Sequence, residues 1–591
     1  MSITMKKGSK MVYLKDSYSL LSMPLAAFPS SFGLKDIKKE MFPYNYYTFE
    51  NFERLNLKSV ISEAGKNEIG GKFDTQTFIS NIDNIPGCRI DKEHFDMVEY
   101  VKFYNIQDVR ILQQGFETFA DILINNFEIN PFEVLTAPSL SNIYFNKHIY
   151  ADRNIMMYSG VLREYIQSAV TGGRCMTRDN EKYHLTSELN DFDAVSLYPS
   201  AMHRLYIPTG APRKLRPDEL TYEYLSSNTC GEDDNDKLIK CYIVDIDITA
   251  VNKHRHFPLI NYKDVKTSVK KWENACVPMR VDNITLEDLV KYQGIEFIIK
   301  GGICWEGKKD FTIRQEIEKL HNLRCQYKSS NKPLADVIKL IMNSAYGKTI
   351  QKPIDNQSVV KSVSKYNKRL DMEVPELDKY LIKNGAYVKQ LIPLNKECTE
   401  FRVITTKSID SSHSNCLVGE LILSMSKRIM NEVMCLAEDL DIPIYYQDTD
   451  SMHIDNSRIN ELAERYQQVY NRELIGKNLG QFHCDFDELP NNPRSIESIF
   501  LGKKVYIDKL TNDDGAIAYH YRMKGVDLKC VELVSQQRFG GELMDLYRYL
   551  LDPTHALTFD LTKTKPRFKM DKNFTVSTIT NFSRTLSFGA K

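Results

Sequence analysis

Two aspartates, Asp448 and Asp450, stand one residue apart in YYQDTDSMH (445–453), inside an otherwise apolar run. A strand that buries most of its side chains strips hydration from each carboxylate, and a neighbour of like sign deepens the loss. A bound divalent cation would offset both effects, because a hard metal ion takes oxygen ligands and brings the opposite charge. Such an ion wants more oxygens than one turn supplies. The next candidate lies far upstream, at Asp193 in DFDAVSLYPSAM (191–202). There a strand ends before Pro199, which cannot continue a ladder but can open a helix. Taken alone, Asp193 reads equally well as the cap of a turn before that helix.

A third stretch, KLIMNSAYGK (339–348), carries Lys339, Asn343 and Tyr346 at helical spacing on one face, with Gly347 beside them. Leu340, Ile341 and Met342 fall mostly on the other side. A lysine, an amide and a tyrosine on one stripe could meet a triphosphate, a base and a sugar. The same stripe would also suit the wet face of an ordinary amphipathic helix. Just upstream, LHNLRCQYK places Arg324 and Lys328 on a preceding helix.

Several domains must carry these elements, since 591 residues exceed what one core holds. The chain is 42% hydrophobic and 26% charged, the composition of a folded protein. Lys plus Arg equals Asp plus Glu at 78 each, so a polyanionic partner would need local segregation of charge. The last stretch, 561–591, is one such segment, with seven basic residues against the single Asp571. Twelve cysteines without a CxxC pair point to a reducing, intracellular compartment. No apolar run approaches a membrane span.

In this order the three stretches resemble motifs A, B and C of the family B DNA polymerases: DFDAVSLYPS, KLIMNSAYG and YYQDTDS. The long separations between them are similar to those of the protein-primed subgroup of viruses, linear organellar plasmids and mobile elements. SIFLGKKVYIDKL (498–510) resembles the family's Lys-x-Tyr element, here Lys504 and Tyr506, followed by MKG at 523–525.

The resemblance implies an α+β right-hand polymerase of palm, fingers and thumb, preceded by a partial RNase H-like exonuclease domain. It places that domain at 1–150 and the palm at 151–213 and 431–510. Insertions for primer-protein or template contact fall at 214–315 and 355–430, the fingers at 316–354, and the thumb with its basic tail at 511–591. Implied activity is template-directed addition of dNTPs to a primer 3′-hydroxyl with two Mg²⁺ ions, Mn²⁺ being able to substitute. Asp193 and Asp450 are the implied ligands of both ions, with Asp448 auxiliary. Lys339, with Lys328, would bind the incoming triphosphate, and Ser196 and Leu197 would help cradle it. Tyr198 would lie under the sugar and exclude a 2′-hydroxyl, while Asn343, Tyr346 and Gly347 wall the nascent base pair. Lys504 and Tyr506 would hold the primer terminus, beside Thr449 and Ser451 as further DNA contacts. Implied partners are DNA template-primer, dNTPs and a terminal protein primer.

Two places depart from the family pattern. YVKFYNIQDVRILQQGF resembles the third exonuclease motif through Tyr104 and Asp108, and LKDSYSLLSMPLAAFPSSFGL and KKEMFPYNYY resemble that domain's interior. The two other acidic motifs would lie upstream, so the expectation is an incomplete domain without 3′–5′ activity, or one completed by a separate N-terminal fragment. The family's Tyr-x-Gly-Gly linker appears as AVTGGRC, with Val170 in the tyrosine's place. Gly172 and Gly173 would still offer amides to a template phosphate and Arg174 a charge. The rival readings are a catalytically silent DNA-binding remnant and an RNA-templated polymerase. The first runs against the intact lysine and aspartates, the second against the Asp-Thr-Asp order and SLYPS.

Overall fold

The computed structural model describes residues 2–34, 40–44, 46, 58–66, 73–232, 236–264, 269–352, 356–367, 369–406, 413–562, 568–570, 575–579 and 581–589. Parts of KKEMFPYNYY and of the basic 561–591 tail lie outside the described residues. Contacts divide the chain into two compact units, Met1–Ala151 with Glu316–Lys348, and Asp152–Gln315 with Thr349–Lys591.

Along the chain, the first long helix is α1 (Met97–Phe127), started by Asp96, whose carboxylate accepts the amides of Val98 and Glu99. Then come α2 (Gly160–Ala169), β1 (Cys175–Thr177), β2 (Leu189–Ala194) and α3 (Leu197–Arg204). Strands β3 (Cys241–Val251) and β4 (Pro278–Asp282), helix α4 (Asn283–Gln293) and strand β5 (Ile295–Trp305) follow. Two consecutive helices, α5 (Thr312–Tyr327) and α6 (Lys332–Thr349), precede β6 (Asn356–Ser362), β7 (Val388–Pro393) and β8 (Glu400–Thr406). Helix α7 (Cys416–Asp439) leads into the hairpin β9 (Ile444–Asp448) and β10 (Ser451–Asp455). The rest includes β11 (Arg494–Gly502), β12 (Val505–Thr511), β13 (Ile517–Met523), α8 (Leu528–Phe539) and α9 (Leu543–Leu551).

In the unit 1–151 with 316–348, the start of α1 closes a core of Phe78, Ile82, Phe95, Met97 and Tyr100. The other unit is built on a nine-stranded antiparallel sheet. Its main path runs β13-β12-β11-β2-β10-β9-β1, and the short strands Tyr183–Leu185 and Phe482–Cys484 pair with β11 and β2. The β2 strand is buried on both faces as far as Phe192 although Asn190 and Asp191 lie within it. Helix α7 contacts α2, α3, α4 and β9, and most of its circumference is buried. A Cβ on Gly419 would stand 2.1 Å from Thr349 Oγ1, so only a bare backbone lets that segment approach α7. Among the described residues no helix is long and apolar enough to cross a membrane, and all twelve cysteines are free.

Two expected boundaries move, and a third segment has a core of its own. The second insertion, placed at 355–430, contains the three-stranded sheet β6-β8-β7 but stops before Cys416, because 416–430 is already α7. The first, at 214–315, is a folded subdomain: β4-β3-β5 pair with Arg213–Lys214, and their core of Val244, Ile246, Leu286 and Leu289 includes Cys435 of α7. The central sheet also runs past 510, since β13 adds to β12 at its edge. Only beyond it do α8 and α9 close a core with Ile499, Val505 and Ile507.

Candidate active site

Strands β2 and β10 lie side by side with Asp193 opposite Ser451, and the Ala194 amide donates to the Asp450 carbonyl at 2.8 Å. Aspartates from separate parts of the chain therefore meet at one end of the sheet. Both are half-buried. Burial pushes the Asp193 carboxyl up to about 8, with repulsion from Asp450, Asp485 and Asp191 adding to it. Asp450 is likewise raised, chiefly by burial. Asp191 and Asp485, missed in the sequence, enlarge the negative field. Asp191 stands two residues before Asp193 and so faces the same side of the strand, a signal that DFD did offer.

The turn between β9 and β10 is two residues, Thr449 and Asp450. Thr449 has φ 65°, left-handed backbone that a β-branched residue adopts only at a cost of about 1–3 kcal/mol. Its amide donates to the Arg174 carbonyl at 2.8 Å. Asp448 does not join the pair of carboxylates. Lys504 Nζ donates to both of its oxygens at 2.8 Å, and the Tyr446 hydroxyl donates to one of them at 3.3 Å. The Lys504 amide donates in turn to that same hydroxyl at 2.9 Å. Burial lowers the Lys504 pKa, but its bond to Asp448 outweighs this and leaves it above the ordinary lysine value.

Behind the carboxylates sits His453, fully buried and paired in register with Asp191. Its Nε2 is 3.0 Å from Asp508 and its Nδ1 3.7 Å from Asp191. Burial opposes its protonation, yet the two aspartates prevail and bring it to about 9. Ser498 donates to Asp508 at 2.6 Å.

Ser196 takes φ 48° at the start of α3, and its side chain makes no capping bond. The first-turn amides of Leu197 and Tyr198 thus lack a capping acceptor from Ser196, and Tyr198 is half-buried. Ser451 is half-buried on β10.

Three expectations change. Arg174, read as a phosphate contact, is only 3% exposed, and its guanidinium is spent on protein acceptors. Gly173 is required by the Thr449 turn, because a Cβ there would lie 2.6 Å from Thr449 Cγ2; Gly172 is exposed with open space around it. Tyr506, expected at the primer terminus, is 6% exposed, with its ring on Tyr446 and its hydroxyl 3.2 Å from His520 Nε2.

In the other unit, Lys339 is exposed and Asn343, Tyr346 and Gly347 half-buried, while Ile338, Ile341, Met342 and Ala345 are buried. The stripe read from the spacing therefore exists, and the Asn343 amide oxygen is buried without a partner. Lys328 lies one residue past the end of α5 rather than on it. Tyr104 and Asp108 share α1; Tyr104 is buried, bonds the Tyr44 hydroxyl, and has its own hydroxyl pushed up to about 12 by burial.

The family model for DNA polymerase type B, organellar and viral, matches residues 1–434. The chain belongs to that family. A DNA polymerase of Kluyveromyces lactis is 23% identical over 535 residues, covering 87% of this chain and 48% of its own length. A probable DNA polymerase of Ascobolus immersus is 24% identical over 430 residues, 71% of this chain and 30% of its own. The chain thus spans half or less of these relatives. Phi29 DNA polymerase, solved with primer-template DNA, superposes with a TM-score of 0.59 at 15% identity over 99% of this chain and 82% of the other. Its ternary complex with incoming nucleotide substrates matches equally, at 16%. This member of the type B family accordingly has a mixed α/β fold of the right-hand class.

Among its described residues no cluster of three or more His, Cys, Asp or Glu is preformed for a metal. The residues that would hold such an ion are Asp193 and Asp450, both raised above their ordinary pKa. That suits Mg²⁺, which binds through one or two carboxylates and completes its shell with water and substrate phosphates.

Proposed function

We propose that this type B polymerase is a DNA-directed DNA polymerase that adds dNTPs to a primer 3′-hydroxyl. The observation that carries the reading is the cross-strand meeting of Asp193 and Asp450, two half-buried acids with raised pKa values at one end of the central strands. Two Mg²⁺ ions held there would supply activation of the attacking oxygen and neutralise charge on the leaving pyrophosphate. The chain's own groups do the rest. Asp193 and Asp450 present oxygens from fixed strands. Ser196 and Leu197, at the start of α3, help cradle the phosphates. Tyr198 in the same turn excludes a 2′-hydroxyl by clash. Lys339 takes the triphosphate charge, and Asn343, Tyr346 and Gly347 pack around the base pair. Lys504, steadied by Asp448, faces the primer strand, with Thr449, Ser451 and Gly172 as nearby backbone and hydroxyl donors. The subgroup likeness extends the reading to priming by the hydroxyl of a terminal protein, in a reducing intracellular compartment.

Primer extension on a DNA template with Mg²⁺ and dNTPs, compared with Asp450→Asn, tests it. Incorporation by the parent and a loss of at least about 1,000-fold in the variant is the expected result. DNA binding without incorporation, with Mn²⁺ also tried, would favour the silent remnant.

A further inference from the structure

Arg174 is buried with no charged partner in contact. Its guanidinium donates to Gln447 Oε1, to the carbonyls of Phe257 at 2.8 Å and Pro258 at 2.9 Å, and to Asn431 Oδ1 at 3.3 Å. The sulfur of Met434 lies 3.3 Å away, and the rings of Phe257 and Trp272 flank the group. Burying a cation among neutral acceptors is expensive, and a core built only for stability would place an apolar side chain there. What the fork does achieve is reach. It holds the loop at 257–258, helix α7 and strand β9 at one point.

Gln447, the β9 partner, is itself buried and immediately precedes Asp448. The backbone repeats the link: the Arg174 carbonyl takes the Thr449 amide, and β1 then pairs Cys175 with Asp448 and Met176 with Gln447. Gly173 closes the contact, since only a missing Cβ lets the linker lie against Thr449. Thr449 is the strained residue next to Asp450, and strained backbone persists only where surroundings over-determine it.

We propose that Arg174, with Gly173, is the positioning element of the metal-binding turn: the buried guanidinium locks the linker to β9 and holds Thr449, and with it Asp450, opposite Asp193. This rests on reading Asp450 as a metal ligand. The fork cannot be replaced by a point charge, because one ammonium does not reach three segments in fixed directions.

The test uses the full chain with Arg174→Lys, Arg174→Met and Gly173→Ala, each checked by thermal melting and assayed well below its transition. Gly173→Ala leaves the guanidinium intact and pushes on Thr449 directly, so it serves if the arginine variants fold poorly. The expectation is a fall in kcat of about 100-fold, as a 1 Å misplacement gives. The dNTP KM, the affinity for primer-template and the slope of that affinity against salt should stay near the parent's. Mn²⁺ affinity, read by electron paramagnetic resonance without substrate, should fall about tenfold, the 1.4 kcal/mol of a partly displaced ligand. Arginine variants that instead bind DNA more weakly, with a salt slope reduced by about 1, would make Arg174 a phosphate contact and overturn the proposal. Folded Arg174→Lys and Gly173→Ala with unchanged Mn²⁺ affinity would overturn it as well. The Mn²⁺ titration decides even if the parent itself incorporates nothing, an outcome that would sink the polymerase reading separately.

Discussion

Two groups of carboxylates share the central sheet and are treated in opposite ways. Asp193 and Asp450 sit at the end of its central strands facing further acids, and both are driven above their ordinary pKa. Asp508, deeper in the same sheet, is wholly buried yet answered by His453 and by the Ser498 hydroxyl. Among the described residues no side-chain cation pairs with the first group, while the second carries its cation within. Uncompensated buried charge therefore marks function here more sharply than burial or acidity alone, since a fold has no structural use for a deficit it can remove by pairing.

The largest effect that would break this contrast is on the compensated side. Replacing His453 by Gln strands Asp508, and breaking such a buried pair costs about 3–5 kcal/mol. Denaturant melts should show it. Asp193→Asn should do the reverse and raise stability at neutral pH, because it removes repulsion that no protein group offsets. If both variants destabilised equally, the two acidic groups would not differ in kind.

Next comes pH, where the sign is the same for both groups. Asp193 is lifted from 3.8 to about 8 and His453 from 6.5 to about 9, so each holds its proton more tightly folded than unfolded. Stability is then full below the unfolded pKa and falls as pH rises through the folded one: from 4 toward 8 for Asp193, from 6.5 toward 9 for His453. Mg²⁺ should restore the Asp193 part alone. The melting temperature should rise with Mg²⁺ at pH 8, hardly move at pH 5, and not respond in Asp193→Asn. A Mg²⁺ effect retained in that variant would place the cation elsewhere.

How much of this was legible in the sequence follows from the range of the interactions. The Lys339 stripe was readable because helical spacing sets which residues share a face, whereas Asp193 and Asp450 were paired through the motif resemblance and not by local spacing. Arg174 and Tyr506 were misread because residue type says nothing of what covers it. The carbonyls at 257–258 and the amides at 431 and 447 internalise the arginine, and His520 takes the tyrosine hydroxyl. None of these is a neighbour in sequence. The end of the second insertion was misplaced for another reason. CLVGELILSMSKRIM carries Glu420, Ser424, Ser426, Lys427 and Arg428 among its apolar residues, so the sequence did not show how much of this helix is buried.

The smallest effect separates the two members of the Lys-x-Tyr element. Lys504 reaches out to Asp448 from an exposed position, whereas Tyr506 is packed beneath it against Tyr446 and His520. Tyr506→Phe removes one hydroxyl from a buried hydrogen bond and should cost about 1 kcal/mol of stability. Primer-template affinity and kcat should be unchanged, because the hydroxyl points into the fold. Lys504→Met should do the opposite: little loss of stability, since an exposed pair contributes about 0–1 kcal/mol, but weaker and less salt-sensitive primer binding. A Tyr506→Phe enzyme that lost primer affinity while keeping its melting temperature would put that tyrosine back on the DNA and would mean the sheet opens there when substrate arrives.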